Sequence, residues 1–149
     1  MGWPGQKNGR IPADLMQDVG GGKLLHPAAA YWWLAMQAAC FKAVGGRVYI
    51  AGYQDAYRSL AEQWKKWFIS LAGGSTAARP GTSNHGWGMA VDVTYASQRV
   101  RSWVHANAAE FNYQRDPHES WHWNYIGSLT VPTKPTSKTT RRKIITWLL

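Results

Sequence analysis

The sequence predicts an α+β fold: a small, mainly antiparallel sheet with helices packed against it. Three observations carry that expectation. Helical and extended patterns alternate along the chain. The extended stretches are short. A length of 149 residues with 45% hydrophobic composition favours one domain able to bury about two thirds of its unfolded surface.

Residues 1–26 are rich in Gly and Pro and show little periodicity, and Gly20-Gly21-Gly22 marks a flexible break. Residues 27–44 read as a helix, with Pro27 near its start and Gly45-Gly46 past its end. Tyr31, Trp32, Leu34, Met36, Phe41 and Val44 make it apolar nearly all round, which places it in the core. Residues 47–51 read as a strand ending at Gly52. Ser59 and Glu62 have capping-box spacing and open a second helix. Leu60, Trp64, Trp67, Phe68 and Leu71 fall on one face of it, and Gly73-Gly74 stops it. After a loop over 73–84, Met89 to Tyr95 reads as a strand and Ser97 to Ala109 as a helix, with Val100, Trp103 and Val104 inward. Ser120 to Tyr125 reads as the last strand.

From Leu129 the composition shifts to a Pro/Thr/Ser/Lys segment that cannot bury enough surface to order itself. The expected organisation is therefore a folded domain over 1–128, followed by a linker and basic tail over 129–149. The net charge of +9 is uneven. All eight acids lie at or before Glu119, and Lys134, Lys138, Arg141, Arg142 and Lys143 follow it. This charge draws the protein to polyanions. A nucleic-acid binder would concentrate it in the domain, so no nucleic-acid partner is expected. No apolar run reaches the ~18 residues of a membrane span, and residues 1–7 lack the apolar stretch of a secretion signal. A cytoplasmic origin and a monomer are the expectations. The single cysteine, Cys40, excludes an intramolecular disulfide and multi-thiolate zinc sites, and its apolar neighbours make it a buried structural thiol.

Two polar clusters carry the chemistry: Ser83-Asn-His-Gly-Trp-Gly-Met-Ala-Val-Asp92 and Glu119-Ser-Trp-His-Trp123. In the first, His85 lies in a Gly-flanked loop. Asp92 lies on a strand face opposite Val91 and Val93, where a carboxylate must be solvated, paired or bound to metal. In the second, alternation places Trp121 and Trp123 on one face of a strand and His122 on the other. His85, Asp92 and His122 make a two-nitrogen, one-oxygen set, which suits a catalytic zinc with an open position for water. Glu119 is the candidate general base. Three residues before His122 it would face the wrong way in a flat strand, so it must sit in the preceding turn or at a bulge. His118, adjacent to Glu119, is a rival ligand on spacing.

In order, Ser83, His85, Gly88, Ala90 and Asp92, then Glu119, Trp121 and His122, resemble the motifs of the zinc D-Ala-D-Ala carboxypeptidase / L-alanyl-D-glutamate endopeptidase family, with its hedgehog/DD-peptidase fold. Tyr57-Arg58-Ser59 with Gln63, Pro80-Gly81, Asn107-Ala108 and Tyr125-Ile126-Gly127 extend the resemblance over about residues 27–127. It implies that His85, Asp92 and His122 bind one Zn2+ and that Glu119 is the general base. It also implies that Arg58 holds a substrate carboxylate or the tetrahedral oxyanion, and that Ser83 hydrogen-bonds substrate. An ion pair of Arg58 with Asp55 or Glu62 is the bland alternative, and a structural role is the expectation for Gln63. Tyr53 and Trp87 could line the cleft, with core packing as the default. The implied activity is hydrolysis of an amide bond in the stem peptides of bacterial peptidoglycan. The favoured form is a phage endolysin of the L-Ala–D-Glu type, made in the host cytoplasm and released to the wall. A D-alanyl-D-alanine carboxypeptidase and a non-catalytic wall- or polyanion-binding module are the alternatives. Residues 73–82 and 111–118 are expected to read the substrate.

Overall fold

A computed structural model describes residues 2–133. The tail cations Lys134, Lys138, Arg141, Arg142 and Lys143, and the rest of the expected tail from 134 onward, lie outside the described residues.

The α+β expectation holds. Four strands form one antiparallel sheet in the order β3-β4-β6-β5: β3 (Val48–Ile50), β4 (Ala90–Tyr95), β6 (His122–Tyr125) and β5 (Tyr113–Arg115). A two-stranded hairpin, β1 (Gln17–Asp18) and β2 (Leu24–Leu25), precedes them. Helices α1 (Pro27–Val44), α2 (Leu60–Leu71) and α3 (Gln98–Asn107) complete the fold.

Helix α1 is the centre of the core. Trp33, Met36 and Cys40 are each at most 1% exposed and pack with Val91, Val100, Val104, Phe111 and Tyr113. The Tyr113 hydroxyl donates to the Ala29 carbonyl at 2.7 Å, which satisfies a polar tip taken into the core. His26 caps α1, its Nδ1 accepting from Ala28 N–H at 3.0 Å, and Gly45 ends it in the left-handed region at φ 71°. The Ser59–Glu62 capping box forms as the spacing requires. Burial raises the pKa of Cys40, so the thiol stays protonated and inert.

Several expectations need correction. Gly20, Gly21 and Gly22 form the turn of the β1–β2 hairpin, all at positive φ, and are not a flexible break. Strand β5 was not anticipated; three residues are too few to show a period of two. The last strand begins at His122, not Ser120. Trp121 lies in the turn before it and is 50% exposed, whereas Trp123 is buried at 4%, so the two tryptophans do not share one environment. The predicted apolar face of α2 is present but faces outward: Phe68 and Leu71 are 61% and 65% exposed, and the only fully buried residue of α2 is Gln63.

Candidate metal centre

The sheet register places the two polar clusters together. Antiparallel pairing sets Asp92 of β4 directly opposite His122 of β6. His85 approaches from the 3-10 turn Asn84–Trp87 that leads into β4. Ser83 caps this turn, its Oγ accepting from His85 N–H at 3.2 Å. Gly86 and Gly88 make the approach possible. A side chain at Gly86 would collide with Asn8 and Gln63, and Gly88 holds φ 66° against the backbone of Leu25 and His26.

One ligand atom from each of His85, Asp92 and His122 lies within 4.8 Å of the other two. His122 Nδ1 is 2.7 Å from Asp92 Oδ1, and His85 Nε2 is 3.2 Å from Asp92 Oδ2. Both imidazoles are oriented from behind. His85 Nδ1–H donates to the Ala56 carbonyl at 2.7 Å, which turns the Nε2 lone pair toward Asp92. That Nε2 is buried and has no hydrogen-bond partner in the protein. His122 Nε2–H donates to Asn124 Oδ1 at 3.0 Å, and Asn84 Nδ2 donates to the same oxygen at 2.8 Å, fixing the amide. With Nε2 so engaged, the second nitrogen of His122 confronts a carboxylate oxygen. Such a contact needs a cation between the groups or a proton on the ring.

The electrostatics agree. For Asp92, burial favours the neutral acid, but the close approach of His122 and His85 and their charges reverses this and holds the carboxyl well below the usual range. For His122, burial lowers the pKa, and Asp92, Asn124 and the charge of Glu119 outweigh it and raise it. Burial lowers that of His85. An always-ionised carboxylate, a buried orphan nitrogen and a second nitrogen held at the same carboxylate fit a tetrahedral zinc with one open position. Zinc ligands stand about 3.3 Å apart around a tetrahedron, so the 2.7 Å contact would open by roughly half an ångström.

Glu119 lies where the sequence demanded, in the turn before β6. Its N–H donates to Asp116 Oδ1 at 3.1 Å, and its carbonyl accepts from His122 N–H at 3.0 Å. Its half-buried side chain borders the cleft above the three side chains. His118 lies exposed on the rim and does not join the cluster. Arg58 is 8% exposed. Its guanidinium lies 3.5 Å from Asp55 Oδ1 and 3.4 Å from Asp92 Oδ2, and its Nε donates to the Gln54 carbonyl at 3.0 Å. The alternative pairing with Asp55 is therefore real, and pairing with Asp92 accompanies it. Glu62 instead serves the helix cap.

The cleft above the cluster measures about 940 Å³. Residues 75–78 and 82 border it on one side, Asp116, His118 and Glu119 on the other, which brings in both loops expected to read the substrate. Trp87 packs against the core, whereas Tyr53 is 63% exposed and borders neither core nor cleft. Gln63 has the expected structural role: it donates to Asn8 Oδ1 at 3.0 Å and to the Arg58 carbonyl at 3.1 Å, and accepts from Gly81 N–H at 2.9 Å. Asn84, Asn124 and Asn8, which support the centre, were not singled out from the sequence. An alternation count marks Asn124 on the face of His122, and that was the available signal.

No protein-family profile matches the chain, and no curated protein sequence does. Solved structures do. VanYB in complex with D-alanine-D-alanine superposes with a TM-score of 0.60 at 23% identity, over 82% of this chain and 86% of that one. A variant of the vancomycin-resistance D,D-pentapeptidase VanY in complex with Zn(II) gives 0.59 at 23%, over 78% and 83%. The LdcB LD-carboxypeptidase, described for its peptidoglycan recognition, gives 0.51 at 26%, over 74% and 67%. The shared feature is the fold, and it is the one that the ordered motifs implied.

Proposed function

We propose that this chain, which has the fold of the VanY-type zinc peptidases, is a zinc-dependent hydrolase of amide bonds in peptidoglycan stem peptides. The observation that carries the proposal is the buried, partnerless Nε2 of His85, aimed at a permanently ionised Asp92 beneath Glu119 and an open cleft.

His85, Asp92 and His122 would hold the metal. A zinc bound there would supply Lewis-acid polarisation of the scissile carbonyl and a more acidic water. Glu119 accepts a proton from the attacking water and returns it to the leaving amine. Arg58, on the edge of the cluster, stabilises charge on the former carbonyl oxygen; Asp55 and Gln54 hold the guanidinium in place. Ser83 borders the cleft; its Oγ accepts from the His85 N–H, and its O–H is left to donate to substrate.

The finer reading is an L-Ala–D-Glu endopeptidase of phage-endolysin type, acting on the wall after release from the host cytoplasm. An open cleft of about 940 Å³, bordered by two loops and a helix, supports a substrate longer than a dipeptide. The second reading, a D-alanyl-D-alanine carboxypeptidase, is favoured by the likeness to VanYB holding D-alanine-D-alanine. Mass spectrometry of the soluble products from purified peptidoglycan, with a chelated control, separates them. New chelator-sensitive alanine and glutamate termini are expected. Loss of a terminal D-Ala alone establishes the carboxypeptidase, and no product from a zinc-loaded protein overturns the peptidase.

A further inference from the structure

One wall of the cleft carries positive charge that the proposed chemistry does not use. Lys65 and Lys66 of α2 border the same cavity as His85, Asp92 and His122. Neither lysine has an ion pair among the described residues. The other cation of the cleft, Arg58, is already engaged by the carboxylates of Asp55 and Asp92. Of the cleft acids, Asp55, Asp92 and Asp116 are committed, and Glu119 is kept for the proposed chemistry. Asp116 caps the turn to Glu119 by accepting from the His118 and Glu119 N–H groups, and Asp92 holds the histidines.

The placement of the pair has a structural cause. Buried Gln63 pins α2 at its first turn to the Arg58 and Gly81 segments. Ile69, one turn on, lies on the same wall as the lysines. This wall carries two lysines and an apolar side chain, and Glu119, His85, Asp92 and His122 line the same cavity. Lys65 is exposed and Lys66 half-buried, and unpaired cations bordering a concave cleft favour an anionic group of the ligand.

We infer that Lys65 and Lys66 form a carboxylate subsite, which selects stem peptides carrying a free carboxylate away from the scissile bond. This rests on the peptidase reading and deepens it. Arg58 then serves the reacting carbonyl, and the lysines read the acidic side of the peptide. The second residue of a stem peptide, D-Glu linked through its side chain, has such a group, its α-carboxylate. Amidation removes that charge with almost no change of shape.

The test compares two synthetic peptides, L-Ala-γ-D-Glu-L-Lys-D-Ala-D-Ala and its analogue amidated at the glutamate α-carboxyl. Affinity is measured by titration calorimetry on zinc-loaded protein carrying Glu119→Gln, with and without Lys65→Gln and Lys66→Gln. The free acid is expected to bind about tenfold tighter than the amide, with the preference shrinking at high salt. The ratio falls to about one in the double lysine variant, while affinity for the amide is unchanged. Circular dichroism that matches the parent shows the variant is folded. Equal affinity for both peptides, a preference that survives the lysine changes, or binding of neither peptide overturns the subsite. The peptidase reading stands or falls separately, on whether wild-type protein releases new termini from the wall.

Discussion

Strands β4 and β6 and helix α2 border the same cleft but are held by different means. The strands pair residue by residue, Asp92 opposite His122 and Val91 opposite Trp123, so two of the three candidate ligands inherit the stiffness of a buried ladder, and His85 sits on the turn that leads into it. Each of the three side chains is oriented by a neighbour: Ala56 behind His85, Asn124 and Asn84 behind His122, Arg58 beside Asp92. Helix α2 has one fully buried side chain, and it is an amide. Its aromatic face, with Trp64 and Phe68 rings 5.7 Å apart, looks outward. Chemistry that needs ligands fixed to a fraction of an ångström sits on the ladder. The facing wall of the cleft, proposed to meet the substrate, sits on a helix whose one buried side chain lies in its first turn.

Substitutions on the two walls should therefore differ in kind. Asp92→Ala has the largest expected effect: zinc is lost from the purified protein by metal analysis, and wall hydrolysis falls to background. Retention of one zinc per chain would break the distinction. Asn124→Ala leaves the three ligands but frees His122 to rotate. It should weaken zinc affinity by about 10- to 100-fold in a chelator competition, and unchanged affinity would show that the strand alone positions the ring.

The pH dependence of zinc binding follows next. The raised pKa of His122 means that its proton competes with the metal from above 6.5 downward. Affinity should be nearly flat at alkaline pH and then fall by up to about tenfold per unit as the pH drops through that raised value. Asp92, already ionised, adds nothing to the slope. A flat profile between pH 8 and 6 would contradict it. The smallest effect belongs to α2. Phe68→Ser and Leu71→Ser should shift unfolding free energy by no more than about 0.5 kcal/mol in a denaturant titration. Met36→Ala, in the core at 1% exposure, should cost about 2–5 kcal/mol. A comparable loss on α2 would mean that its outer face is covered in solution.

What the sequence made legible follows the same division. The convergence of His85, Asp92 and His122 with Glu119 nearby is legible because these residues stand in ordered motifs, and strand alternation assigns the faces of Asp92 and His122. The turn position of Glu119 could be demanded from His122 alone. The orientation of α2 could not be read, because Leu60, Trp64, Trp67, Phe68 and Leu71 satisfy the helical period whether or not a partner covers them. The pairs β1–β2 and β5–β6 were missed or incomplete because two or three residues carry no measurable period, and their pairing is set by the core around Leu25 and Tyr113. Asn8, Asn84 and Asn124 act through contacts 75, 40 and 2 residues away, to Ser83, Asn124 and His122 respectively. Sequence spacing conveys the last of these but not the first two.

The account centres on a metal held by His85, Asp92 and His122 with Glu119 as the base. Its most direct test is to measure bound zinc and peptidoglycan hydrolysis side by side in the wild-type protein and in Glu119→Gln. The expected result is one zinc per chain in both, with hydrolysis reduced by about 10³-fold in the variant. Undiminished hydrolysis by Glu119→Gln, or a wild-type protein that hydrolyses the wall with no divalent metal bound, would contradict it.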